Sequence, residues 1–144
     1  SSEVVHVAEG VQIVAADNTA GHGDDTGRYD GTGPVNTAFL DRFDDIIPMD
    51  YMTENDEKNA LVVSTGCKET TAIELVYFAN AVRCSDEIEQ PVSFRRLKAM
   101  AKMLMNGHGL TRTLDIALMN HIRNDTDREA IAGIAKTTIT EAYL

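Results

Sequence analysis

The sequence predicts two parts: an α/β segment over residues 1–51 and an all-helical subdomain over residues 52–144. Three observations predict this. Up to Met49 the apolar residues come in short β-branched runs separated by turn residues, the pattern of buried strands. One of these runs ends in the polar triplet Asp17-Asn18-Thr19, and in a parallel sheet binding residues sit beyond the strand ends. From Thr53 onward the apolar residues instead recur at three- and four-residue spacing, the period of helices with one buried face.

The N-terminal part opens with Glu3 to Val7, a β-branched run that Ala8-Glu9-Gly10 turns into a second run, Val11 to Ala16. These read as a hairpin or as two adjacent strands. His6 alternates with valines and reads as a solvent-face residue rather than a ligand. Asn18 stands just past the end of the Val11 strand. A loop from Gly21 to Gly33 follows, carrying five glycines together with His22, Asp24, Asp25 and Asp30. Oxygen ligands on a glycine-permitted turn are how calcium loops are built, but the spacing is not that of an EF-hand and no closing glutamate is present. A solvated structural loop is the favoured reading, and no metal site is assigned. Pro34 can open a helix, because its missing N–H is not needed at the first position. Val35, Phe39 and Leu40 would form that helix's buried face, with Asp41 and Arg42 at its end. Ile46 to Met49 is the next strand.

The helices follow in order. Thr53 precedes three acidic or amide residues in the manner of an N-cap, and Gly66 is a suitable stop. Glu69 to Arg83 places Ala72, Leu75, Val76, Ala79 and Val82 on one stripe. Pro91 and Ser93 start another helix, with Phe94, Leu97, Ala101 and Leu104 on one side. Gly107-His108-Gly109 breaks it. Thr111 to Ile122 is a further helix, and Thr126, with Glu129 three residues on, caps a last one striped by Ile131, Ile134, Ala135 and Ile139. Met100, Met103 and Met105 read as core filler.

Composition bounds the function. A chain of 144 residues with 43% hydrophobic and 25% charged residues is a globular chain with room for one core. Its net charge of −10 argues against a general phosphate-backbone binder, though not against a small basic site such as Arg95-Arg96. Two cysteines, Cys67 and Cys84, fit no disulfide or metal framework, which suits a reducing cytosol. No apolar run approaches the length of a membrane span, and no basic-then-apolar leader is visible. A cytoplasmic location is expected, without membrane association.

Three ordered stretches carry a resemblance. Ala15-Ala16-Asp17-Asn18-Thr19, then Gly21 through Thr32, then Asn36 through Phe43 resemble AAA+ ATPases of the MoxR-like and cobaltochelatase-ATPase-subunit type. In those proteins the stretches are a strand ending Ala-x-Ala-Asn-Thr, a Gly/Asp loop, and Asn-x-Ala-x-Leu-Asp-Arg-Phe. The likeness is dense over residues 11–51. Beyond them it rests on the helical layout and on a Ser-x-Arg signature at Ser93-Phe94-Arg95, where Phe94 stands in place of the usual proline.

The resemblance implies a C-terminal part of a P-loop AAA+ core, bearing sensor 1 and the arginine finger, followed by a helical lid. Asn18 would be sensor 1, holding the attacking water or a γ-phosphate oxygen. Arg42 would be the arginine finger, acting on a neighbouring subunit's site; read from the residues alone, it is an exposed helix-terminal cation beside Asp44 and Asp45. Arg95 would be the sensor 2 arginine that reaches the nucleotide from the lid, with Arg96 the alternative register. Read alone, both are first-turn residues on an exposed helix face. The implied cofactors are ATP and Mg2+, and the implied partners are identical subunits in a ring, a hexamer, together with a client protein that these motifs do not identify.

No Gly-x-x-x-x-Gly-Lys-Ser/Thr phosphate loop occurs in the chain, and no apolar strand ends in Asp-Glu. The expectation is therefore a C-terminal portion of a longer ATPase, coupling ATP hydrolysis to remodelling of a partner and not self-sufficient by itself. Strands cut off from their sheet would expose an edge and make this piece self-associate. Two other classes stand beside this reading. One is a non-catalytic module that keeps a ring interface; the other is a small acidic protein whose Gly/Asp loop binds calcium.

Overall fold

A computed structural model of the chain describes residues 6–16, 36–89 and 92–140. The chain divides into two compact units, Ser1–Met49 and Asp50–Leu144.

In the first unit the described residues form one turn of helix, α1 (Thr37–Leu40), and no strand. Asn36 caps α1, its side chain accepting the N–H of Ala38 at 2.9 Å. The turn expected at Ala8-Glu9-Gly10 forms: Val11 N–H donates to the Ala8 carbonyl, and Gly10 takes a positive φ of 83°. The strands expected at Val11 to Ala16 and Ile46 to Met49 are not formed among the described residues. A strand exists only as a hydrogen-bonded pair, and neither segment has a described partner, so Val14 is 88% and Met49 87% exposed. Among the described residues the buried face expected on α1 is also absent, Val35 lying outside them. Phe39 is half exposed and meets Phe43 edge-on, with ring centroids 5.4 Å apart. Asn18 and the Gly21 to Gly33 loop lie outside the described residues.

The second unit is helical: α2 (Glu54–Thr65), α3 (Glu69–Arg83), α4 (Phe94–Met105), α5 (Leu110–Ala117), a short 3-10 turn (Met119–His121) and α6 (Asp125–Thr138). Local chemistry sets most of the ends. Thr53 caps α2 by accepting the Asp56 N–H, while its hydroxyl donates to the Asp56 carboxylate at 2.6 Å. Gly66 closes α2 in the left-handed conformation, φ 75°, where a side chain would be strained. Gly107, φ 79°, ends the α4 turn in the same way.

Helix α3 is the centre of the unit. It packs on α2, α4 and α6, and α4 packs in turn on α2 and α5. Its stripe of Ala72, Leu75, Val76, Phe78, Ala79 and Val82 is buried. Leu61 of α2, Leu97, Met100 and Leu104 of α4, Leu110 and Leu114 of α5 and Ile131 and Ala135 of α6 close around it. Each fully buried large aliphatic or aromatic side chain contributes about 1.5–3 kcal/mol relative to exposure, which is why the expected stripes and the observed core coincide here.

Three expectations in this unit need correction. The helix expected from Thr111 to Ile122 ends at Ala117. Leu118 leaves the helical region at φ −133° and ψ −62°, and the break turns Leu118, Met119 and Ile122 inward together. The cap of α6 is Asn124 rather than Thr126: its side chain accepts the Thr126 N–H at 3.0 Å and donates to buried Asp127 at 3.1 Å. Asparagine is among the strongest N-cap residues, and this one is fixed from both sides. Of the three methionines, Met100 is buried and Met103 partly so, but Met105 is 51% exposed.

Candidate functional site

The first turn of α4 places two arginines side by side. Ser93 occupies the N-cap position in extended backbone, φ −79° and ψ 156°. Its carbonyl accepts the N–H groups of Arg96 at 2.9 Å and Leu97 at 3.2 Å, starting the helix. Its hydroxyl makes no capping bond, and the first turn holds no acidic residue. The opening N–H groups of any helix lack intrahelical acceptors and carry partial positive charge. Here two guanidinium groups add to that charge.

The helix is oriented by what it buries. Leu97 and Met100 are fully buried, and Phe94 is partly buried against the core. That leaves Arg95 exposed and Arg96 half-buried. Neither arginine side chain makes a hydrogen bond or ion pair among the described residues. Lys98 lies over the Phe94 ring at 5.5 Å from its centroid, a contact of the cation–π kind. The arrangement suits a multiply charged oxyanion approaching the end of α4, since guanidinium forks match phosphate and carboxylate oxygens.

The segment that delivers the chain to α4 is held in place by a group the sequence reading missed. Arg83, the last residue of α3, has a side chain only 6% exposed, and Glu57, in the first turn of α2, is 1% exposed. They form a two-point pair: Nη1 donates to Oε2 at 2.7 Å and Nη2 donates to Oε1 at 2.8 Å. Nη1 also donates to the Asn80 side-chain oxygen at 3.1 Å. Nε and Nη2 both donate to the Val92 carbonyl, at 2.9 and 2.8 Å. The guanidinium carbon stands 4.1 Å from the centre of the Tyr51 ring. All five N–H donors of the arginine are thereby used, and one face is stacked.

A second buried carboxylate works on the same connection. Asp127, 2% exposed, accepts the backbone N–H of Glu89 at 3.2 Å. The stretch between α3 and α4 is thus tied at Glu89 to the start of α6 and at Val92 to Arg83.

The other residues singled out in the sequence are placed differently. Arg42 follows α1, its N–H donating to the Phe39 carbonyl at 3.2 Å. Its side chain is exposed and forms no ion pair with Asp44 or Asp45, so the pairing that would make it a purely local cation is absent. Asn18 lies outside the described residues, as do His22, Asp24, Asp25 and Asp30. Among the described residues no three histidines, cysteines or acids gather as a metal site, and no helix is long and apolar enough to cross a membrane. Cys67 is buried and Cys84 exposed, and both are free.

Glu57 and Arg83 gave little signal in the sequence. The first reads as one more acid in a helix's first turn, and the second as a basic residue in a last turn, each favourable there for the helix dipole. Their 26-residue separation follows no local period, so only the fold brings them together.

Comparison with known proteins adds two findings. Residues 57–138 match the family model described as CbbQ/NirQ/NorQ C-terminal. Over 131 residues the chain is 28% identical to BssE of Thauera aromatica, a protein named as a chaperone. That match covers 91% of this chain and 41% of BssE, so the chain spans about two fifths of its relative's length. No solved structure matches the chain.

Proposed function

The chain belongs to the CbbQ/NirQ/NorQ C-terminal family, the C-terminal region of MoxR-like AAA+ proteins, and from that premise we propose that it is the lid-bearing part of an ATP-driven remodelling machine. The observation that carries this reading is the pair of arginines on the first turn of α4, without partners among the described residues and inside the segment matched by the family. A cationic helix start with no internal acid is what a lid needs to register a nucleotide's terminal phosphate.

The parts divide as follows. Arg95 takes the sensor 2 role, with Arg96 beside it, binding phosphate oxygens and coupling the helical unit to nucleotide state. Arg42 takes the arginine-finger role towards a neighbouring copy's site; that it pairs with no carboxylate among the described residues supports this. Asn18 positions the attacking water. ATP, with Mg2+, supplies the transferable phosphoryl group, and such transfer depends mainly on positioning and charge stabilisation. The chain's own sequence carries neither a phosphate loop nor a magnesium-binding strand end, so those elements belong to another segment of the machine. The assembly is a ring of identical subunits, a hexamer, in the cytoplasm, acting on a client protein; the chaperone name of BssE supports that class of work.

The test is steady-state ATP hydrolysis by the protein that contains both this region and a phosphate loop. Arg42→Ala is expected to leave nucleotide binding intact and to slow turnover by about a thousandfold or more, the scale of a lost arginine finger. Arg95→Ala is expected to weaken the response to nucleotide while the fold is retained. Turnover unchanged by Arg42→Ala, and by Arg95→Ala and Arg96→Ala together, would remove the proposal.

A further inference from the structure

Arg83 sits where three parts of the helical unit meet. Glu57 belongs to α2, Asn80 to α3, and Val92 to the connection that becomes α4 at Phe94. Tyr51, stacked on the guanidinium, lies next to Asp50, the first residue of the unit. Arg83 therefore touches both the entry of the chain into this unit and the residue just before the Ser93 cap.

The bond to Val92 is the informative one. A carbonyl that accepts two N–H donors from one rigid fork is fixed in direction as well as position. Val92 is fully buried, so its own side chain anchors the same point. Three residues later stands Arg95. The backbone path from Val92 to Arg95 is extended at Ser93 and helical from Phe94, and rotating the Val92 peptide would swing the first turn of α4 as a body. A lysine could not reproduce this, because it lacks the planar five-donor fork that spans Glu57, Asn80 and Val92 at once.

We propose that Arg83 is a positioning residue for the α4 arginines: with Glu57 behind it and Tyr51 across its face, it holds the Val92 carbonyl and so sets where Arg95 and Arg96 are presented to the nucleotide. This rests on the reading of those arginines given above. It adds a defined route by which the entry segment at Tyr51 acts on them. Tyr51 is 53% exposed, so its ring is not needed to fill the core. It screens one face of the guanidinium and restrains its plane, a contact of the cation–π kind.

The experiment uses the complete ATPase and four variants: Tyr51→Ala, Arg83→Lys, Arg95→Ala and the double Tyr51→Ala/Arg95→Ala. kcat and KM for ATP are measured alongside thermal melting. Tyr51→Ala is expected to melt close to the parent protein yet lose about two- to thirtyfold in kcat/KM, the range through which residues off a site modulate it. Arg83→Lys is expected to lose at least as much. The deciding readout is the double variant. If Tyr51 acts through Arg95, removing both costs no more than Arg95→Ala alone. Multiplicative losses in the double variant would show a separate structural effect and overturn the inference. Parent-like kinetics in Tyr51→Ala and Arg83→Lys, with Arg95→Ala impaired, would overturn it while leaving the sensor role of Arg95 intact. Turnover unimpaired by Arg95→Ala and by Arg95→Ala and Arg96→Ala together would remove the reading of these arginines and this inference with it. If Arg83→Lys fails to fold, the Tyr51 arm decides.

Discussion

Replacing Arg83 by methionine removes the charge and all five donors while keeping an apolar stem of similar length. What remains is the Glu57 carboxylate, 1% exposed and stripped of both hydrogen bonds, and the Val92 carbonyl without either of its donors. Leaving one member of a buried pair uncompensated costs about 3–5 kcal/mol. An exposed pair would cost roughly 0.2–1 kcal/mol, so the two cases are well separated. The assay is urea denaturation followed by far-UV circular dichroism, with the midpoint and slope both fitted. The double variant Glu57→Leu/Arg83→Met should be more stable than Arg83→Met alone, since only the Val92 carbonyl and Asn80 are then left short, a loss of about 1–3 kcal/mol. A single-variant loss below about 1 kcal/mol, or a double variant that loses the sum of both singles, would refute the account of this pair.

The remaining stability predictions concern smaller groups. Thr113 is fully buried and its hydroxyl has no hydrogen-bond partner among the described residues; Thr113→Val should therefore raise stability by about 1 kcal/mol, and a clear loss in the same urea assay would show that the hydroxyl is satisfied. Glu69 has its carboxyl held below the ordinary glutamate range by a 2.7 Å hydrogen bond from Lys58 and by that residue's charge. Its pKa is lower folded than unfolded, so its contribution is present above the unfolded value and is lost as pH falls through the folded one. The Glu69→Gln variant should show a slightly flatter acid limb of stability against pH, and identical limbs would count against the contact.

The helical unit was legible because its signals are local. Thr53 and Gly66 mark the ends of α2 by capping chemistry, and the stripe on Glu69–Arg83 is the buried face found. Errors fell where a local signal had a rival nearby. Asn124 outcompeted Thr126 as a cap, and the core pulled Leu118 out of the helical path to bury three apolar side chains. In the first unit the apolar runs have the pattern of strands, and among the described residues no pairing partner realises them. Apolar pattern identifies a segment able to join a sheet; it does not provide the sheet.

By itself the sequence determined the change from short apolar runs to helical period, the order of the helices, and a Ser93-Phe94-Arg95-Arg96 start to α4 with no acid to neutralise it. These are properties of neighbouring residues, fixed by spacing of one to four positions. Only the tertiary structure decided that Arg83 and Glu57 would meet across 26 residues. It also decided that the same fork would seize the Val92 carbonyl and that the arginines of α4 would find no partner among the described residues. A buried charge is tolerated only where the fold brings every donor an acceptor, and which acceptors those are depends on helix packing that no local period encodes.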